Sequence, residues 1–140
     1  NVTFMTFDEL LHNSDFLCIH TSLDKNNFHL IASKELNKMR KTSFLINTSR
    51  GSIINENSLI HALKNKWIAG AALDVFEKEP LPSHNKLLKL KNVILLPHLG
   101  SATVQTRNRM SEVAAINLHN ILSNKKPIYL VNTELEDNHC

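Results

Sequence analysis

Three short apolar runs constrain the fold of this chain more than any other feature. They cover Phe44 to Asn47, Ala69 to Val75 and Val93 to Leu96, and each is followed by polar or turn-forming residues. Continuous apolar runs of this length are typical of parallel strands that are buried on both faces. A further run, Asp15 to His20, has the same character. The sequence therefore predicts a parallel sheet covered by helices on both faces.

Segments with helical signals alternate with these runs. Three of them carry an N-terminal cap signal: Thr6 with Glu9 for TFDELLHN, Ser33 for SKELNKMR, and Asn55 for ENSLIHALKN. A Pro-containing connection follows over residues 77–91, with a short helical turn predicted at Lys86 to Leu90. Alternation of this kind predicts an α/β domain.

The two ends of the chain carry further signals. Residues 2–5 (VTFM) are predicted to form a short strand, and a long helix is predicted to begin near Ala102 or Thr103, capped by Ser101, and to run to about Ser123. The helix has an apolar stripe made of Met110, Val113, Ala114, Leu118 and Ile121. Such a stripe fits a subunit interface and a core-facing surface equally well. The acidic segment up to Cys140 is expected to be frayed.

The composition excludes several classes of protein. With 42% apolar and 21% charged residues among 140, the chain is typical of a soluble globular domain. The formal net charge is +3, but the lysines are interleaved with acids, so no nucleic-acid partner is expected. No apolar run approaches the length of a membrane span, so no membrane partner is expected either. Cys18 lies inside a predicted strand and Cys140 is the last residue, which favours a reducing compartment, the cytoplasm.

Charged side chains follow the predicted strands at the points where the strands end. Arg50 comes just after the first run, Asp74 lies near the end of the second with Glu79 beyond it, and His98 follows the third. In α/β proteins ligands bind beyond the carboxyl ends of the parallel strands. We therefore expect these four side chains to converge on one crevice.

Structural interpretations compete with functional ones at these positions. Arg50 could bind a substrate carboxylate through its forked guanidinium, or be an ordinary surface residue of a turn. Asp74 could accept a hydrogen bond from a ligand amide or cap a nearby helix, since an unpaired buried carboxylate is costly. Gly100 and Ser101 precede the long helix, where free amides suit a carboxylate or a carbonyl oxygen, although a plain capped helix is the commoner case.

Glu79 and His98 are interpreted together. A carboxylate beside an imidazole favours the charged ring and fixes its orientation, which would make His98 a usable acid near neutral pH. The sequence has no G-x-G-x-x-G or P-loop motif, no Cys/His spacing for zinc and no G-x-S-x-G motif. Hydrolase and metalloenzyme interpretations are therefore rejected, and no metal is expected.

Four motifs in order resemble those of the D-isomer-specific 2-hydroxyacid dehydrogenase family: SDFLCIHTSL, INTSRG, AGAALDVFEKEPLP and NVILLPHLGSAT. The resemblance covers roughly residues 2–123, and the stretch from EPLP onward is most similar to the branch that reduces glyoxylate and hydroxypyruvate. It implies a Rossmann-like, doubly wound sheet. Residues 1–123 would be the second half of a dinucleotide-binding domain, with a C-terminal helix returning toward a substrate domain, and 124–140 would be a tail.

The resemblance also implies a role for each matched residue. The reaction would be reduction of a small 2-oxo acid, glyoxylate or hydroxypyruvate, by NADH or NADPH. Arg50 would bind the substrate carboxylate and carbonyl, His98 would donate the proton, and Glu79 would hold His98 protonated and oriented. The other matched residues would contact the cofactor or the substrate: Ser22, Thr48, Asp74 and Gly100 the cofactor, and Ser101 the substrate.

Several parts of the family pattern do not occur in this sequence. The phosphate-binding loop, the residue that selects the cofactor and most of the substrate domain would lie upstream, so the chain is expected to be a fragment that binds dinucleotide weakly and turns over negligibly alone. The full-length protein is expected to be a homodimer. A dinucleotide-sensing binding protein, like the transcriptional co-repressors that resemble this family, is the alternative, and a poorly folding truncated product is a third possibility.

Overall fold

The structure is a computed structural model, and it describes residues 2–132. The chain divides into two compact units between Gly100 and Ser101, and the second unit contains the long helix α4 (Val104–Leu122). The helices and strands of the first unit are α1 (Phe7–Asn13), β1 (Phe16–Ile19), α2 (Ser33–Lys38), β2 (Phe44–Asn47), α3 (Glu56–Lys64), β3 (Gly70–Leu73) and β4 (Val93–Leu95), with 3-10 turns at Gly51–Ile53 and Lys86–Lys89.

The strands of the first unit form a parallel sheet in the linear order β1-β2-β3-β4. Leu45 of β2 lies opposite Leu17 of β1 and Ala71 of β3, and Ala71 lies opposite Val93 of β4. The carboxyl ends of all four strands therefore meet at one edge. The α/β, Rossmann-like fold predicted from the sequence is confirmed.

The core of the first unit combines alternate strand residues with the apolar sides of the helices. Leu17, Leu45 and Leu73 are buried on the strands, and Leu59 and Leu63 are buried on α3. Each large apolar side chain taken out of water contributes about 1.5–3 kcal/mol. The core therefore supports the sheet from the side on which the helices lie.

The other face of the sheet is exposed, so the expectation that these strands are buried on both faces is wrong for the part of the chain that is described. Phe16 and Phe44 stack with ring centroids 5.6 Å apart, yet they are 65% and 41% exposed, and Ile94 is 64% exposed. The cause is the linear strand order. Successive right-handed crossovers in one direction place their helices on the same face.

Two predicted helix starts are confirmed. The Thr6 hydroxyl accepts a hydrogen bond from the Glu9 amide, and the Glu9 carboxylate accepts one from the Thr6 amide, which completes a capping box for α1. Asn55 caps α3, because its side-chain oxygen accepts from the Ser58 amide at 2.9 Å. Both caps satisfy backbone donors that a helix leaves unpaired.

Two other expectations for the first unit are wrong. Ser33 does not cap α2 but is its first residue; Ala32 precedes the helix, and its amide donates to Glu35 at 3.2 Å. The Ser33 hydroxyl instead bonds to that of Ser58 on α3, at 3.0 Å. Residues 2–5 form no strand, because within residues 2–132 none of the sheet strands pairs with them.

The long helix of the second unit begins slightly later than predicted. Its cap is Thr103, whose hydroxyl accepts from the Thr106 amide at 3.2 Å, so the prediction that Ser101 caps it is wrong. None of the residues of α4 is buried, and Met110, Leu118 and Ile121 of the predicted stripe are more than half exposed. The stripe is therefore no core-facing surface among the described residues.

Two further observations concern regions that the sequence singled out. Within residues 2–132, none of the helices combines the length and the apolar character that crossing a bilayer requires. The acidic segment predicted to be frayed lies outside the described residues from position 133 onward, and Cys140 lies there too.

Candidate active site

The loop after β2 carries Arg50, and a buried amide shapes it. The side-chain nitrogen of Asn47, the last residue of β2, donates to the Arg50 carbonyl at 2.9 Å, and its oxygen accepts from the Ser49 amide at 3.0 Å. Asn47 is fully buried, whereas Arg50 is exposed and donates to the Ser49 carbonyl at 2.7 Å. Sequence reasoning missed Asn47, although a polar residue closing an apolar strand is the signal of such a turn.

Gly51 brings this loop into direct contact with the segment after β3. A Cβ at Gly51 would lie 1.9 Å from the backbone carbonyl carbon of Phe76 and 2.4 Å from the Glu77 nitrogen. Real Cβ atoms do not approach backbone so closely. Glycine is therefore required by the close approach of two backbones, which keeps Arg50 next to the segment that carries Glu79.

Asp74 is buried at the end of the β3 region and holds the turn that follows β4. One carboxylate oxygen accepts from the Leu99 amide at 2.7 Å, and the other accepts from the Gly100 amide at 2.9 Å. The Gly100 amide is thus engaged, contrary to the expectation that it is free for a ligand. Because His98 directly precedes these two amides, Asp74 fixes the backbone that carries it.

Glu79 and His98 form the ion pair that the sequence predicted. The Nδ1 atom of His98 lies 2.7 Å from one Glu79 oxygen, and the other oxygen accepts from the Phe76 amide at 2.9 Å. The hydrogen bond from His98 is the largest cause that lowers the pKa of the Glu79 carboxyl below its ordinary value of 4.5. The hydrogen bond from the Phe76 amide lowers this pKa further, and the positive charge of Arg50 lowers it more weakly. Glu79 is therefore a carboxylate at neutral pH that orients the imidazole.

The backbone of His98 has φ of 56°, in the left-handed region that non-glycine residues seldom adopt. A residue stays in this region only where its surroundings hold it, and such positions concentrate at functional sites. Here Asp74 and Glu79 supply those restraints, one on the backbone and one on the ring. The side chain of His98 remains half exposed and accessible to a ligand.

The four charged residues do not converge on one crevice as expected: three of them line two separate cavities, and Asp74 lines neither. Glu79 and His98 line an apolar cavity of about 630 Å³ together with Leu95, Leu96, Pro97 and other apolar residues. Arg50 lines a second cavity of about 370 Å³ with His20, Ser22, Leu23 and Ser49. His20 and Ser49 were not among the predicted site residues.

Three predicted contacts remain untested by this arrangement. Thr48 is exposed directly after β2, and Ser101 belongs to the second unit. Ser22 lines the Arg50 cavity, and its carbonyl accepts from the Asn27 side chain at 2.5 Å. Among residues 2–132, no group of His, Cys, Asp or Glu residues is arranged to hold a metal ion.

The parallel α/β sheet thus places an imidazole–carboxylate pair and an arginine at its carboxyl edge, where ligands bind in folds of this class. Residues 1–100 match the family described as D-isomer specific 2-hydroxyacid dehydrogenase, NAD binding domain. The chain belongs to this family, as the four motifs had suggested.

The chain is similar to proteins named as reductases. It is 50% identical over 135 residues to the glyoxylate reductase of Thermofilum pendens, covering 96% of this chain and 40% of that protein. It is 45% identical to glyoxylate/hydroxypyruvate reductase B of Enterobacter agglomerans, covering 96% of this chain and 42% of that protein.

The chain is also similar to a solved structure of a reductase. The chain superposes with a TM-score of 0.83, at 36% identity, on an NADPH-dependent glyoxylate/hydroxypyruvate reductase from Sinorhizobium meliloti in complex with NADP and malonate. The match covers 91% of this chain and 40% of that one. The chain thus spans about 40% of the length of the relatives that it matches.

Proposed function

We propose that the protein containing this chain reduces a small 2-oxo acid, glyoxylate or hydroxypyruvate, to the D-2-hydroxy acid with NADH or NADPH. The observation that carries the proposal is the His98–Glu79 pair, at 2.7 Å and at the carboxyl edge of the sheet. Relatives named glyoxylate reductase and glyoxylate/hydroxypyruvate reductase support this choice of substrate.

The chemistry requires a cation for the substrate carboxylate and an acid for the carbonyl oxygen. Arg50 supplies the cation, because its guanidinium forms paired hydrogen bonds with a carboxylate. His98 supplies the acid and delivers a proton from Nε2, since Nδ1 faces Glu79. Glu79 stays ionised, stabilises the charged ring and holds it in one orientation.

The residues at this edge fit a nicotinamide dinucleotide. A carboxylate has about four acceptor positions, and Asp74 uses two of them on the Leu99 and Gly100 amides, so it can also accept from a carboxamide. Ser22 and Arg50 line the second cavity, and Thr48 directly precedes Ser49, which lines it too. The bound cofactor would supply a hydride to the carbonyl carbon.

Assembly and location complete the proposal. The exposed stripe of α4, including Met110 and Leu118, is apolar enough to be covered by a second copy, so we include a homodimer through this region. The domain boundary predicted at residue 123 also stays a prediction.

The free thiol of Cys18 is exposed, which suits a reducing compartment such as the cytoplasm. Sedimentation of the complete gene product tests the dimer, and cell fractionation tests the location.

The experiment is an assay of the complete gene product. Glyoxylate and hydroxypyruvate are each offered with NADH and with NADPH, oxidation of the nicotinamide is followed by absorbance, and the configuration of the product is determined by chiral chromatography. We expect D-glycerate from hydroxypyruvate and a clear preference for one dinucleotide.

Turnover of neither acid with either cofactor would refute the proposed reaction. If the protein still bound a dinucleotide tightly, the result would support the sensing alternative instead. An L-configured product would contradict the assignment of the reaction to this family's stereochemistry.

A further inference from the structure

A second imidazole–carboxylate pair lies outside the site described above. The Nε2 atom of His29 is 2.9 Å from a carboxylate oxygen of Glu77, and the two side chains are 28% and 33% exposed. His29 is held on several sides: its amide donates to the Ser52 carbonyl at 2.8 Å, and its ring stacks on Phe28 with centroids 4.0 Å apart. We infer that His29 and Glu77 are positioning residues for the proposed reaction, acting through Glu79.

The cap of α3 sets the orientation of the His29 ring. The Asn55 oxygen accepts from the Ser58 amide, which leaves the Asn55 nitrogen facing Nδ1 of His29 at 3.2 Å. An amide nitrogen can only donate, so Nδ1 accepts, and in the neutral ring the proton sits on Nε2. This nitrogen is buried and lies 2.9 Å from the Glu77 oxygen. The contact does not have the geometry of a hydrogen bond, so among the described residues Nε2 is left without a hydrogen-bond partner and Glu77 is the nearest carboxylate paired with it.

Glu77 ties three parts of the first unit together. The carboxylate oxygen that faces His29 also accepts from the amide of Glu56, the first residue of α3, at 2.8 Å. The carboxylate of Glu56 in turn accepts from the Asn85 side chain at 2.7 Å. The loop of His29, the start of α3 and the segment after β3 therefore share one polar cluster.

Glu77 of this cluster precedes Glu79 of the acid–base pair by two residues in the sequence. Glu77 and Glu79 belong to one short segment, and Glu79 closes it by accepting from the Phe76 amide while its other oxygen contacts His98. Gly51 blocks the segment on another side through its backbone contact with Phe76. With Glu77 released, the segment loses one of its restraints, and the carboxylate of Glu79 can move relative to His98.

A positioning role is separable from a purely structural one by substitution of His29. The residue has φ of 53°, where Asn is tolerated better than Gln. An Asn side chain is too short to reach Glu77, whereas the nitrogen of a Gln side chain can occupy the place of Nε2. A structural role predicts that activity follows stability, with His29→Asn the better variant. The positioning role predicts the opposite order.

The experiment uses the complete gene product and rests on the proposed function for its first readout. We expect His29→Asn to lower kcat about tenfold with little change in KM for the 2-oxo acid, because small misplacements of reacting groups are costly. His29→Gln should retain most of the activity. The control is Asp8→Asn, which removes the carboxylate of an ion pair of 2.6 Å with Lys38 outside the site and should leave kcat unchanged.

The second readout does not depend on turnover. The protein is labelled with ¹⁵N-histidine, and the NMR chemical shift of His98 Nδ1 is detected through the carbon-bound ring protons. In His29→Asn this chemical shift should move toward its value in Glu79→Gln. In His29→Gln it should stay in place. An unchanged kcat in His29→Asn, activity that follows stability, or an Nδ1 shift common to all variants would overturn the inference. Absence of turnover in the unsubstituted protein would refute the proposed function, and the Nδ1 shift alone would then decide the positioning role.

Discussion

Replacement of Gly51 by alanine tests how the loop of Arg50 and the segment of Glu79 are kept together. The new Cβ would lie 1.9 Å from the Phe76 carbonyl carbon and 2.0 Å from its oxygen, and both are backbone atoms that cannot rotate away. Ordinary contact begins near 3.4 Å, so the two backbones must separate by 3.4 minus 1.9, about 1.5 Å. This displacement falls on the segment that carries Glu79.

The expected cost has two parts. Overpacking typically costs about 1–3 kcal/mol, and the upper end applies here because the clash is with backbone atoms. Alanine recovers about 0.4–1 kcal/mol by restricting the unfolded chain, so Gly51→Ala should destabilise the protein by about 2 kcal/mol. A shift of Glu79 by more than 1 Å should lower kcat by about a hundredfold. Since Gly51 has no positive φ, both effects come from the close approach alone.

The assay is urea unfolding together with steady-state turnover of the complete gene product. Gly100→Ala is the matched control for stability, because its Cβ would meet Asp74 at 3.4 Å, an ordinary contact. We expect that control to change the free energy of unfolding by less than about 0.5 kcal/mol. Equal losses in the two variants, or an unchanged kcat in Gly51→Ala, would refute the argument from close approach.

Two further predictions concern the carboxylates. Asp74→Asn keeps one acceptor but turns an NH2 group toward either the Leu99 or the Gly100 amide. We expect the free energy of unfolding in urea to fall by about 1–3 kcal/mol, and kcat to fall because the turn of His98 is loosened. Retained stability would show that the two amide bonds contribute little. The depressed pKa of Glu79 means that its pairing stabilises the folded protein above the ordinary value of 4.5 and that this contribution is lost as the pH falls through the lower folded value. The stability difference between the unsubstituted protein and Glu79→Gln, measured by urea unfolding from pH 6 to pH 3, should therefore shrink toward acid, and a constant difference would contradict the pairing.

Much of the sheet and the acid–base pair could be predicted from the sequence because the signals are local. Phe44 to Asn47 is an apolar run closed by a polar residue, and the structure places β2 there. His98 and Glu79 follow strand ends, and parallel strands bring such ends to one edge. Pattern and topology together were sufficient for these elements.

The features that could not be predicted depend on tertiary contacts. The predicted cap Ser33 bonds to Ser58 on another helix, and α4 is capped by Thr103, two residues beyond Ser101. The Gly51 contact requires knowing which backbone passes beside it. The pairing of His29 could not be predicted, because nothing in its sequence neighbourhood indicates a carboxylate 48 positions away, at Glu77.

The central claim is that His98 delivers the proton, and one comparison tests it most directly. The turnover of hydroxypyruvate by His98→Ala is measured beside that of His84→Ala, an exposed histidine of the same unit, with dinucleotide affinity determined for both proteins. We expect a loss of at least about a hundredfold in kcat for His98→Ala, the scale of a lost general acid, with dinucleotide binding retained and His84→Ala unaffected. Equal turnover in the two variants would contradict it.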